Sequence, residues 1–158
     1  MNLLNWLKKW KLEKLKINAK FLEIELNFTD SDKAAAWELY VELLTRVATQ
    51  QLSKDGGDEK QALQSIYNIF PLTREILKKN GPDCFEFTKI AVVVLNQIIR
   101  PFATKWHKTL NYDQEIDMPT KNEFRSSLES LRVDIIRYAQ LLSEIAGVED
   151  LTELELEA

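Results

Sequence analysis

Histidine and cysteine are nearly absent from this chain of 158 residues, which contains only His107 and Cys84. Zinc sites of cysteine and histidine need several such ligands, and di-iron bundles repeat Glu-x-x-His on two helices. Neither kind of site can be built from one residue of each type. A lone cysteine also cannot form an internal disulfide, which favours a reducing compartment. We therefore expect a protein with no metal and no cofactor.

Glycine, proline and long apolar runs are scarce as well. The chain has four glycines and four prolines, and its Gly56-Gly57 pair lacks the lysine and the strand context of a phosphate-binding loop. No apolar run approaches the roughly 20 residues that span a bilayer. The first leucines precede the lysines and no small-residue cleavage site follows, which is the wrong order for a signal peptide. A cytoplasmic protein of prokaryotic type is expected.

Charge is distributed unevenly along the chain. Residues 1–20 carry six lysines and one glutamate, a net charge of +5, whereas residues 111–158 carry twelve acidic and four basic residues, a net charge of −8. The two ends can attract each other within one molecule or between copies, or they can form two solvated faces.

The remaining sequence has the pattern of amphipathic helices. Apolar residues recur every three or four positions, as on one face of a helix. Asn80-Gly81-Pro82 is a strong stop signal, Pro71 must kink or divide the second segment, and Pro101 lies inside the third. Helices are predicted at about residues 31–52, 58–79, 83–110 and 120–147.

The third segment contains the longest apolar run, residues 90–99. A helix that is apolar on nearly every side must be enclosed by other helices. We therefore expect it to be the most buried helix, with Asn96 and Gln97 as buried amides that bond to neighbouring helices.

The fourth segment has a heptad pattern. Thr120 and Glu123 have the spacing of a capping box at its start. Apolar residues then alternate by four and three positions, as Phe124, Leu128, Leu131, Ile135, Tyr138, Leu142 and Ile145. Such a seam forms either the core of one chain or a self-association surface between two copies.

Residues 1–30 differ from the rest. Residues 1–10 fit a short amphipathic helix, and the strict alternation of residues 22–28 is typical of a strand, either in a hairpin or with a bulge. We expect this basic segment to dock on the helices or on a partner. Its candidate binding residues are Leu3, Trp6, Leu7, Lys8, Lys9, Trp10, Lys11, Leu22, Ile24 and Leu26.

These observations predict a mainly α protein. The expected architecture is an antiparallel four-helix-type bundle over residues 31–147. The N-terminal amphipathic helix and a short β-hairpin or bulged strand occupy residues 1–30, and residues 148–158 form an acidic tail.

Arg100 and His107 are the one pair with catalytic potential. They lie seven positions apart, which places both on one face of a helix, about 10 Å apart along its axis. A structural role is the alternative: Arg100 pairs with Glu42 or Asp134, and His107 stabilises the C-terminal end of its helix.

The same pair resembles the Arg-x4–6-His motif of HEPN ribonucleases. The resemblance implies a small helical domain that dimerises to build a composite site and cleaves RNA without a metal. Arg100 would then bind phosphate and His107 would transfer protons. Pro101 stands where that family usually has a polar residue.

Our leading functional hypothesis is a non-enzymatic protein-interaction or regulatory module. Its partner is another protein or a second copy of the chain. The alternatives are the HEPN-like ribonuclease and attachment of residues 1–20 to a membrane surface or a nucleic acid through lysines and tryptophans.

Overall fold

The computed structural model describes residues 27–46, 52, 58–110 and 115–155. Of these residues 84% are helical and none lies in a strand, which confirms the mainly α class. Asn27 and Phe28, the end of the predicted strand, have no regular secondary structure, and Phe28 packs against the core. Residues 1–26 lie outside the described part of the chain.

Six α-helices organise the described residues. They are α1 (Asp30–Leu44), α2 (Glu59–Tyr67), α3 (Ile69–Asn80), α4 (Phe85–Val94), α5 (Arg100–Thr109) and α6 (Met118–Ala146). Short 3-10 turns cover Pro82–Cys84 and Thr152–Glu155, and a π turn covers Leu95–Ile99.

Helix α1 begins with a capping box that also reaches a second helix. Thr29 is the N-cap, and its side chain accepts a hydrogen bond from the amide of Asp32. The Asp32 carboxylate accepts from the Thr29 amide at 2.8 Å and from the Phe87 amide, in the first turn of α4, at 2.8 Å. One buried carboxylate therefore stabilises the N-terminal ends of α1 and α4 together.

The core forms mainly where α1 packs on α6, and α1 also contacts α3 and α4. The buried residues of α1 recur at three- and four-residue intervals, as an amphipathic helix requires. All seven side chains of the predicted seam on α6 are buried within the single chain. The seam is therefore part of the core, and its alternative role as a self-association surface is not supported.

The break between α2 and α3 confirms the predicted effect of Pro71. Helix α2 ends at Tyr67 and α3 begins at Ile69, with Asn68 as a turn between them. Pro71 has no amide hydrogen to bond the Tyr67 carbonyl four residues earlier, so the helix cannot continue undisturbed.

Pro101 has a different local effect. The Arg100 amide bonds the Leu95 carbonyl, five residues back, which defines the π turn just before the proline. The prediction that this segment is enclosed on nearly every side is wrong. Phe85 is 60% exposed and Val92 is 46% exposed, so these two side chains of α4 reach solvent.

Both ends of α6 are capped by hydrogen bonds. The residue that caps its N-terminus is not the predicted one. Asp117 is the N-cap and accepts from the Thr120 amide at 2.8 Å, so the capping box at Thr120 is wrong. Gly147, with φ 71°, ends the helix in a Schellman motif, in which the Val148 amide bonds the Ser143 carbonyl.

The C-terminal residues turn back onto α1. The Leu151 amide donates to the Tyr40 hydroxyl at 2.7 Å, and Thr152 is buried. Burial raises the pKa of the Tyr40 hydroxyl, so this contact is made by the neutral phenol. The beginning of the predicted acidic tail thus lies against the helical core as far as Thr152.

Replacing Asp32 with Ala should destabilise the protein by about 2–4 kcal/mol, because the buried Phe87 amide loses its acceptor and α1 loses half of its capping box. Urea unfolding followed by circular dichroism measures this loss. Asp30→Ala is the matched control, because Asp30 is exposed in the same turn, and should cost less than about 1 kcal/mol. Equal effects of the two substitutions would contradict the bridging role.

Candidate functional site

An open groove lies between α1 and α3. Its volume is about 400 Å³, and we call it the α1–α3 groove. Helix α1 contributes Trp37, Glu38, Val41 and Glu42, and helix α3 contributes Leu72, Glu75, Ile76 and Lys79.

The apolar part of the groove results from the geometry of α1. The core face of α1 includes Ala36, Tyr40 and Leu43, while Trp37 and Val41 each follow a core residue by one position. A step of one residue turns the side chain by about 100°, away from the core. Trp37 is consequently 48% exposed and Val41 39% exposed. Large apolar side chains exposed side by side are typical of binding surfaces.

The rim of the groove is acidic. Glu38 binds Lys79 at 3.2 Å, and Glu42 binds Arg46, which lies outside the groove, at 3.0 Å. Glu75 is exposed and makes no ion pair with another described residue. The eight lining residues therefore carry three carboxylates and one ammonium group, which favours an occupant with positive charge.

Arg100 and His107 lie on a second surface. Both side chains are exposed. The Arg100 guanidinium lies over the Phe70 ring, 4.9 Å from its centroid, and its Nε donates to Asn96 Oδ1 at 3.0 Å. The His107 ring lies 5.3 Å from the Tyr67 ring, centroid to centroid.

The two aromatic supports are neighbours. The ring centroids of Tyr67 and Phe70 are 6.3 Å apart, on either side of the break between α2 and α3. Arg100 and His107 therefore contact adjacent rings and share one exposed surface. A guanidinium and an imidazole on one surface can bind a phosphate and transfer a proton.

Two predicted contacts of this region are wrong. Arg100 pairs with neither Glu42 nor Asp134, which bind Arg46 and Arg137 instead. Asn96 is exposed and is not a buried amide. His107 lies in the last turn of α5, where its structural alternative places it.

Cys84 is buried just before the start of α4, and its thiol lies 3.1 Å from the Gly81 carbonyl oxygen. Within the described ranges, no three side chains of His, Cys, Asp or Glu are grouped so as to hold a metal ion. Those ranges also contain no helix long and apolar enough to cross a membrane.

The predicted binding residues of the N-terminal segment all precede Asn27 and lie outside the described residues. They are Leu3, Trp6, Leu7, Lys8, Lys9, Trp10, Lys11, Leu22, Ile24 and Leu26.

Sequence reasoning missed Trp37 and Val41, because an exposed and a buried tryptophan look alike in an apolar stripe. A signal was present. The apolar residues of α1 include Ala35, Ala36, Trp37, Leu39, Tyr40, Val41, Leu43 and Leu44, which cover more than the one stripe that a single core contact needs.

The chain matches no protein-family model, no curated protein and no solved structure at a significant level.

Proposed function

We propose that this protein is a non-enzymatic protein-interaction or regulatory module, whose α1–α3 groove binds a basic amphipathic helix of a partner protein. The supporting observation is the exposure of Trp37 and Val41 beside three carboxylates. In helix-in-groove recognition, apolar anchors at i, i+3, i+4 and i+7 enter a groove and charges at the rim select the partner. The module would be a cytoplasmic antiparallel bundle that carries an N-terminal amphipathic helix and a β element.

The dimensions of the groove suit two turns of helix. On α3 its lining runs from Leu72 to Lys79, a rise of about 10 Å. Anchor side chains at i, i+3, i+4 and i+7 of a partner helix also span about 10 Å along its axis. The exposed tryptophan supplies a large contact area, as expected for a residue that carries much of the binding energy.

A synthetic helical peptide that has leucine at positions i, i+3, i+4 and i+7 and lysine at all other positions tests this proposal. Fluorescence anisotropy should show saturable binding that Val41→Lys weakens about tenfold or more, since a charge then occupies the apolar floor. Val92→Lys is the matched control, because Val92 is similarly exposed on α4 and outside the groove. Equal loss in both variants, or no binding of the peptide to the wild-type protein, would refute groove recognition.

A second candidate function is metal-independent RNA cleavage by Arg100 and His107. The observation that favours it is their shared exposed surface on Tyr67 and Phe70. Arg100 would bind a phosphate and His107 would act as general acid or base, in one chain or across two copies.

His107→Ala should abolish cleavage of single-stranded RNA in the presence of EDTA. The stability of the variant should stay within about 1 kcal/mol of the wild type, because the side chain is exposed. Gel electrophoresis of labelled RNA measures the rate, and Lys108→Ala, in the same turn, should retain it. Absence of cleavage by the wild-type protein, or full activity of His107→Ala, would exclude the nuclease.

A further inference from the structure

We infer that the partner helix of the α1–α3 groove is polarised. It places a basic side chain between Glu42 and Glu75, at one end of the groove, and an uncharged side chain at the other end, beside Lys79. This inference rests on the proposed function, because it names the charge pattern of the helix that the groove accepts. The charged residues of the groove then select among helices that share the same apolar anchors.

The two walls of the groove run in opposite directions. Near the start of α1, the Thr29 hydroxyl donates to the Asp83 carbonyl at 2.7 Å, just beyond the end of α3. Further along α1, Glu38 binds Lys79 at 3.2 Å and accepts a hydrogen bond from the Asn80 side-chain amide at 3.3 Å. As α1 advances, its contacts therefore move back toward the start of α3.

This register places Glu42 and Glu75 opposite each other. Glu42 follows Glu38 by four positions on α1, and Glu75 precedes Lys79 by four positions on α3. Four positions are about one helical turn, a rise of about 6 Å. Both carboxylates therefore lie one turn beyond the Glu38–Lys79 ion pair, on the two walls of the groove.

The unbalanced charge of the groove is concentrated at that end. The Glu38–Lys79 pair is neutral as a unit. Glu42 binds Arg46, which lies outside the groove, and Glu75 makes no ion pair with another described residue. A cation between Glu42 and Glu75 therefore meets an unbalanced carboxylate, whereas a cation at the other end meets the ammonium group of Lys79, whose side chain is 71% exposed.

The apolar lining is similar at both ends. Trp37 and Val41 lie one turn apart on α1, and Leu72 and Ile76 lie one turn apart on α3. Apolar anchors can bind along the whole groove, so charge distinguishes its two ends. An arginine suits the end with two facing carboxylates, because its planar guanidinium presents several N–H donors and can bond both carboxylates at once.

Three synthetic helical peptides test this inference. All have blocked termini, the same leucine anchors, and alanine or glutamine at the other positions. The first has no charge, the second has one arginine beside the first anchor, and the third has an arginine beside each outer anchor. The anchor spacing reads the same in both directions, so the second peptide can turn to bring its arginine to Glu75.

Fluorescence anisotropy at low salt measures the three affinities. We expect the first arginine to tighten binding about fivefold, because it meets the unbalanced carboxylate. The second arginine should add no more than about twofold, the gain from two equivalent directions of binding, because it lies beside a neutral ion pair.

Substitutions in the groove localise the effect. Glu75→Gln should reduce the gain from the first arginine to less than about twofold. Glu115→Gln is the matched control, because Glu115 is exposed and does not line the groove. Lys79→Gln should raise the gain from the second arginine to about threefold or more, because Glu38 then lacks its ion-pair partner. Urea unfolding of each variant shows whether the fold is intact.

The failures of this inference and of the proposed function are distinguishable. Equal gains from the two arginines in the wild-type protein, or an unchanged gain in Glu75→Gln, would overturn the polarity of the partner and leave groove recognition intact. Absence of binding by all three peptides, or binding that Val41→Lys does not weaken, would refute both.

Discussion

The arrangement of α1 depends on the hydrogen bonds that the buried carboxylate of Asp32 accepts. It binds the Thr29 amide at the start of its own helix and the Phe87 amide at the start of α4, both at 2.8 Å. A buried charge is tolerated only where hydrogen bonds and favourable dipoles replace its hydration, and two helix N-termini supply both. Since α1 also packs on α3 and α6, this contact helps to position both the core and the groove.

The two candidate surfaces meet at α3 without overlapping. At about 100° per residue, Phe70 projects from one flank of the core face of α3, while Leu72 and Lys79 project from the other. Phe70 contacts Arg100, whereas Leu72 and Lys79 line the α1–α3 groove. An occupant of the groove therefore leaves the Arg100 side chain accessible, so the two proposed functions do not exclude each other sterically.

The predictable part of the fold came from local backbone chemistry and periodicity. Pro71 and Gly147 mark real helix boundaries because their effects need only neighbouring residues. The seam on α6 was predictable because a long, strictly periodic apolar stripe on a helix must be buried against another helix. The cap of α6 was misplaced because Asp117 and Thr120 are both good cap residues, and only the backbone path decides between them.

The candidate site was less predictable, because it depends on what packs beside each residue. The spacing of Arg100 and His107 places them on one face, but nothing in it indicates the Phe70 and Tyr67 rings of other helices that support them. The exposure of Trp37 depends on how α1 is rotated over α6. That rotation is a tertiary property, set by the buried residues on both helices.

Binding of a basic amphipathic helix in the α1–α3 groove can be followed at the indole N–H signal of Trp37, which lines the groove. The chain has four tryptophans, so Trp37→Phe identifies this signal in a ¹H–¹⁵N spectrum. If the helix binds in the groove, the Trp37 signal shifts progressively as the lysine–leucine peptide is added. The signal of the buried Trp106 should stay in place. A Trp37 signal that does not move while the peptide binds would show that the peptide binds outside the groove.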